Sequence, residues 1–140
     1  MKQPLPQAVK DFVAAARVCR IATVRPNGEP HVISVCPVFD GESTVYVDIG
    51  PDYVTAKNIE AERRVTVLID EYSDDWNQLK GVALRCRAEP VSGAERDAAW
   101  ERIRLKFPQY KGIGWEPRLT LALRVNKWRQ YGVADEDKTT

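Results

Sequence analysis

Residues able to do chemistry are few and scattered in this sequence. His31 is its one histidine, and Cys19, Cys36 and Cys86 are its three cysteines. None falls in a CxxC or Cys/His spacing, so neither a zinc site nor a disulfide framework is indicated. His31 follows Pro30 at the start of a strand-like run. There it could serve as a proton donor or haem ligand, although a lone surface imidazole is the commoner role. Cys36, between Val35 and Pro37, reads as a small hydrophobe, and Lys57, Glu60 and Glu62 read as the wet face of a short helix. The run Arg124-Val125-Asn126-Lys127-Trp128-Arg129-Gln130-Tyr131 has the composition of a nucleic-acid groove. Against that, Lys and Arg total 21 and Asp and Glu 20, a net charge of +1. A balanced chain whose residues 119–125 already alternate as a strand is not expected to bind nucleic acid.

The elements that must position these residues follow from periodicity. The 140 residues, 44% hydrophobic and 29% charged, make one domain over residues 1–133, with a polar, frayed tail at 134–140. Val9, Phe12, Val13 and Ala16 recur at helical spacing after Pro6. Residues 18–25 and 30–39 read as strands joined by Pro26-Asn27-Gly28-Glu29, a turn whose Asn-Gly pair tolerates positive φ. A second turn at 40–43 leads to a third strand at 44–49, giving a meander. A short helix falls within 50–62 and a strand at 64–71, with Val65, Val67 and Ile69 on one side. A polar loop at 72–78 precedes a long strand at 79–91. Ser92 or Gly93 starts a helix reaching Phe107, with Trp100, Ile103 and Phe107 on one face. A Gly/Pro-rich loop at 108–118 precedes the last strand at 119–125. The count is about six strands and three helices without a βαβ rhythm, which predicts a mainly β, six-stranded antiparallel barrel with flanking short helices. There is no apolar run of about 18 residues and no signal-peptide pattern, so a cytoplasmic protein without a membrane partner is expected.

Four segments, in this order, resemble the pyridoxamine 5'-phosphate oxidase-like split-barrel superfamily, which binds FMN or a deazaflavin. The first is Ala16-Arg17-Val18-Cys19-Arg20-Ile21-Ala22-Thr23-Val24 with Asn27-Gly28-Glu29-Pro30-His31-Val32. The second is Lys57-Asn58-Ile59-Glu60-Ala61-Glu62-Arg63-Arg64-Val65, and the third runs from Asp70 through Asp74-Asp75-Trp76-Asn77-Gln78 to Leu79. The fourth, Leu105-Lys106-Phe107-Pro108-Gln109-Tyr110, is similar to a helix-end motif of the deazaflavin branch. The resemblance implies a homodimer with two cofactor sites between subunits. It places the flavin ring along Ile33, Ser34, Val35 and Cys36, and the phosphate at Thr55, Lys57 and Asn58. Trp76 and Gln78 would cover the ring in the neighbouring site, and Arg129, with Trp128, would reach across the dimer. These residue types suit the task, because a doubly ionised phosphate needs cations, hydroxyl and amide donors and a helix N-terminus.

The chain departs from the family pattern where Asp52-Tyr53-Val54 and Ile33 replace basic residues, which leaves Arg17, Arg20 or Arg63 to complete the phosphate grip. The expected function is hydride or electron transfer between bound FMN and a small-molecule substrate. The alternatives are a deazaflavin-dependent reductase and a flavin- or haem-binding module without turnover. Oxidation of pyridoxamine phosphate itself is not expected, since the family's C-terminal arginine and histidine pattern is missing. The resemblance singles out no catalytic residue and no metal ligand.

Overall fold

The computed structural model describes residues 3–135. Its elements are α1 (Gln7–Ala15), β1 (Cys19–Val24), β2 (Pro30–Val35), β3 (Val38–Phe39), β4 (Thr44–Ile49), α2 (Val54–Ala61), β5 (Arg64–Glu71), β6 (Lys80–Pro90), α3 (Gly93–Lys106), α4 (Gln109–Ile113) and β7 (Leu119–Tyr131), with a 3-10 turn at Trp76–Gln78. All strand pairs are antiparallel, in one sheet ordered β2-β1-β5-β6-β7-β4-β3. This is a mainly β split barrel, with seven strands where six are expected.

The extra strand comes from a break at Cys36-Pro37. Proline has no N–H to give to a ladder, and the expected single strand over 30–39 divides there. Its first part pairs with β1 and its second with β4. The meander expected through 18–49 is therefore two separate hairpins on opposite edges of the sheet. Residues 30–39 carry both edges, and two residues connect them.

At the first hairpin, Gly28 adopts φ 87°, the left-handed conformation that glycine adopts without strain. Its N–H donates to the Arg25 carbonyl (2.8 Å), and the Glu29 N–H donates to Asn27 Oδ1 (3.0 Å). At the second, Asp40 Oδ1 accepts from the N–H groups of Glu42, Ser43 and Thr44.

Alternation explains the core. Ile21, Val45, Val47, Val67, Val82, Leu84, Leu121 and Leu123 fill the barrel interior with Val9 and Val13 of α1. A second cluster forms outside, where Trp100, Ile103 and Phe107 at the α3 end of the chain cover Val38, Tyr46 and Ala122. β4 is therefore covered on both faces. The outer face of β2, β1, β5, β6 and the end of β7 has no such cover.

Two expectations change, one for a loop and one for the length of the last strand. Residues 109–113 form a helical turn within the 108–118 stretch, and β7 continues through the basic run to Tyr131, past a register shift against Arg85/Cys86. Ser92 sits at the N-cap of α3 without a side-chain capping bond. Ala134, the expected start of the frayed tail, is tied back by Gln130, which accepts from the Val133 and Ala134 N–H groups (both 3.1 Å). Residues 136–140 of that tail lie outside the described residues.

A half-buried ionic network fastens α3 to the sheet. Arg124 holds Glu95 through two bonds (3.0 and 3.1 Å) and Glu89 through Nε (3.0 Å), and the Tyr46 hydroxyl donates to Glu95 (2.7 Å). Arg124, then Tyr46, hold the Glu95 carboxyl below the usual range. A carboxylate depressed in the folded state stabilises the fold above its unfolded pKa, and that contribution is lost as pH falls through the folded value. Glu95→Gln is therefore expected to cost about 1 kcal/mol near neutral pH, since the group is partly exposed. The difference from wild type in urea unfolding should narrow toward about pH 3. A difference that stays constant or widens on acidification would contradict this assignment.

Candidate functional site

The phosphate-type residues gather around α2. This eight-residue helix follows β4, and its N-cap residue Tyr53 makes no side-chain capping bond, so the first-turn N–H groups remain available to an anion. A cleft of about 430 Å³ opens between the outer side of α2 and the β1–β2 turn, lined by Arg25, Asn27, Asp52, Val54, Lys57 and Asn58, with Pro26 at the tip. Lys57 is exposed and free to swing. Asn58 is buried, and its Nδ2 donates to Thr23 Oγ1 (3.0 Å), fastening α2 to β1. Thr55 is 0% exposed, and its Oγ1 has no hydrogen-bond partner. A buried hydroxyl left unpaired costs about 1–3 kcal/mol.

Arg25 is the residue that sequence reading missed. It belongs to the hairpin turn, and it reaches α2 only because the turn folds over the helix. Its Nε pairs with Glu29 Oε1 (3.0 Å). The three arginines expected to complete the grip lie elsewhere. Arg17 stacks over the Phe107 ring (4.8 Å), Arg20 faces outward on β1, and Arg63 follows α2; none lines the cleft. Two cations, one of them already paired with Glu29, a carboxamide pair and helix N–H groups, set against the carboxylate of Asp52, fit a phosphate ester.

Of the ring candidates, Ile33, Ser34 and Val35 lie on β2, an edge strand of the sheet, and Cys36 just past its end. One row of its backbone N–H and C=O groups has no strand partner, as an edge strand requires. Ile33 and Val35 lean half-buried toward the core, whereas Ser34 and Cys36 are exposed on the outer face. Cys19 and Cys86 are buried, and burial pushes both thiols up to about 12, so neither is a thiolate at neutral pH.

The remaining candidates are not brought to α2. Trp76 is 73% exposed, and its Nε1 donates to Tyr72 Oη (3.3 Å). With Gln78 it sits beyond the far end of β5. The eight residues of β5 place that end roughly 25 Å from α2. Arg129 is exposed on the outer face, in a register row that runs Ser34, Arg20, Leu68, Ala83, Arg129. Within one chain the proposed ring-covering residues and the phosphate residues form two separate groups.

The outer face carries exposed Val24, Val32, Leu68 and Tyr131. Its charges are polarised. Arg64, Arg85 and Lys127 border a groove of about 520 Å³ near one end, while Asp70 stands at the other; Glu71, on the opposite face of β5, lies in register with Lys80. Arg85 lies opposite Lys127, a pairing that is unfavourable unless countercharge covers it, whereas Arg64 and Arg87, also opposite one another, are paired within the chain with Glu62 and Glu89.

A curled antiparallel sheet with an uncapped short helix beside an edge strand defines the split-barrel class. The chain matches the family model described as pyridoxamine 5'-phosphate oxidase over residues 5–132, and it belongs to that family. No curated protein matches the chain. Among solved structures, it is similar to a haem-binding protein from Mycobacterium smegmatis (TM-score 0.77, 22% identity, covering 90% of this chain and 53% of that one). It is also similar to HutZ, the haem storage protein from Vibrio cholerae (0.74, 18%, 92% and 94%). A third is a FAD-binding protein from Mesorhizobium loti (0.69, 21%, 91% and 95%). The chain spans about half the length of the mycobacterial protein. At these identities the likeness establishes the fold. Among the described residues no helix is long and apolar enough to cross a membrane.

Proposed function

We propose that the chain is a cytoplasmic FMN-binding oxidoreductase that acts on a small-molecule substrate and works as a homodimer, residues 1–133 serving as one domain. The observation that carries this reading is the cleft at α2, where Arg25, Lys57 and Asn58 converge beside an uncapped helix N-terminus; the orphaned Thr55 hydroxyl lies buried on the same helix, behind the cleft lining. Thr55, Lys57, Asn58 and Arg25 would hold the phosphate. The free edge of β2 over Ile33, Ser34, Val35 and Cys36 would line the ring through backbone groups. When bound, the flavin supplies the hydride or electron-pair chemistry, and the chain's residues bind it, orient it and keep water from it.

Two features support a second copy as partner. Trp76, Gln78 and Arg129 stand too far from α2 to serve the same chain's site. The outer face can also meet itself under a two-fold axis, which would set the Asp70 end of one copy on the Arg85 and Lys127 end of the other.

The test is an absorbance spectrum of the untreated protein, followed by FMN titration and light scattering. A flavin band or micromolar FMN binding, together with a dimer mass, is expected. A colourless monomer that does not bind FMN would reject the reading. A second reading, a binding module without turnover, draws support from the two structural neighbours whose names specify haem. His31, half-buried on β2, is this chain's one imidazole and would be the residue to hold a haem iron. Haem binding abolished by His31→Ala, with no oxidation of NAD(P)H by flavin-loaded protein, would favour it. Titration with a deazaflavin in the same format separates the third possibility.

A further inference from the structure

The groove on the outer face of the sheet shares no lining residue with the α2 cleft. Its volume, about 520 Å³, falls within the span of small-molecule sites, roughly 300–1,000 Å³. It runs across the strands in the order β2, β1, β5, β6, β7, and its two ends differ. Pro30, Val24 and Ala22 make an apolar end on β2 and β1. Arg64, Thr66, Arg85, Asn126 and Lys127 make a polar one on β5, β6 and β7. Among the described residues no carboxylate lines it.

A bulge builds the polar end. Arg85 pairs with Lys127 and the next residue, Cys86, with Val125, so Asn126 is an extra residue on β7. Such a residue interrupts the alternation of side chains. Asn126 and Lys127 are successive yet both exposed, between buried Val125 and half-buried Trp128. A carboxamide and an ammonium therefore stand side by side, with the Arg85 guanidinium across the ladder. Among the described residues neither Arg85 nor Lys127 forms an ion pair. Arg64 pairs with Glu62, but its side chain is 84% exposed, and an exposed pair yields readily to a competing carboxylate.

We propose that this groove binds a small amphipathic dicarboxylate, its apolar end on Val24 and Pro30 and its two carboxylates on the cations of β5, β6 and β7. Those cations stand on three neighbouring strands, spread over roughly 10 Å, so they address separate acid groups better than one compact phosphate. Every lining residue belongs to a strand, so the groove has no helix N-terminus to wrap a tetrahedral anion. The Arg85 fork receives a carboxylate through two parallel N–H bonds, and Asn126 and Thr66 donate to the remaining lone pairs. Arg85 and Lys127 call for two negative charges, whereas Asp70 of a second copy would bring one. The proposal is independent of the flavin reading.

Phenylsuccinate, succinate, hydrocinnamate and inorganic phosphate are titrated calorimetrically, at constant ionic strength, into wild type, Arg85→Gln, Lys127→Gln, Arg87→Gln and Asp70→Asn. FMN is titrated into the same proteins. Phenylsuccinate is expected to bind wild type about tenfold more tightly than succinate or hydrocinnamate does, and to raise the melting temperature. Arg85→Gln and Lys127→Gln each weaken it about tenfold, while Arg87→Gln, outside the groove and paired with Glu89, leaves it unchanged. Without ligand the two groove variants melt no lower than wild type, because each removes a like-charge contact. Lost binding is then not lost folding. Phenylsuccinate bound as expected by a protein that takes no FMN would uphold the groove and reject the flavin reading. Phosphate binding more tightly than phenylsuccinate, or equal losses in all three arginine and lysine variants, would overturn the proposal. Binding to Asp70→Asn but not to wild type would overturn it too, giving the groove to a second copy's carboxylate.

Discussion

Trp100→Ala is expected to destabilise the fold by about 3–5 kcal/mol, the range for removing a fully buried aromatic side chain. Trp100 is 2% exposed and is the largest member of the cluster between α3 and the outer face of β3, β4 and β7. Its loss leaves a cavity among Val38, Tyr46, Ile103, Phe107 and Ala122 that the rigid sheet beneath cannot collapse to fill. The indole also donates to Thr120 Oγ1 (3.1 Å) and Asp48 Oδ2 (3.3 Å). Trp100→Phe keeps most of the packing and removes the donor, so it should cost less, about 1–3 kcal/mol. Urea unfolding of the two variants separates volume from hydrogen bonding. A Trp100→Ala midpoint close to wild type would show that α3 is not held by this cluster.

The second large effect concerns anion binding at α2. Lys57→Gln and Arg25→Gln are each expected to weaken FMN binding about tenfold, and together about a hundredfold, in line with the loss of charge-assisted bonds to a phosphate. Both side chains lie outside the buried core, so thermal melts should barely move. Raised salt should shrink the difference between wild type and the double variant. Thr55→Val gives an independent measure. With no ligand it should raise stability, because it replaces an unpaired buried hydroxyl with an isosteric methyl. If phosphate uses that hydroxyl, the same change lowers FMN affinity. A double variant that binds FMN as wild type does would place the phosphate elsewhere.

Local periodicity made most of the barrel legible. Residues 64–71 are β5 to the residue, because Val65, Val67 and Ile69 meet the core while Thr66, Leu68 and Asp70 turn away. The first hairpin, α1 and α3 were equally plain from their turn residues and apolar spacing. Where the chain changes partner without changing conformation, the pattern gives no warning. Residues 30–39 are extended on both sides of Pro37, so nothing local says that the two halves serve opposite edges. The end of β7 was obscured because Lys127 and Arg129 face outward on an uncovered sheet, and a strand with a wet face resembles a basic loop. Helix α4 hid among glycine and proline because it is one short turn held by neighbours. The site divides along the same line. Lys57, Thr55 and Asn58 share α2 and could be grouped from sequence, whereas Arg25 joins them only through the fold of the turn over the helix.

The two-residue link between the sheet's edges limits how the barrel can breathe. The three Cα steps from Val35 to Val38 span at most about 11 Å, so the edges cannot part far at that end. Any opening must fan outward, nearly nil at Pro37 and widest at the Asn27-Gly28 turn. Arg25 and Lys57 both stand at that wide end, where the Asn58–Thr23 bond ties α2 to β1. An anion gripped by both would act as a clasp, and its arrival would register as slowed amide exchange across residues 25–29, with little change near Pro37.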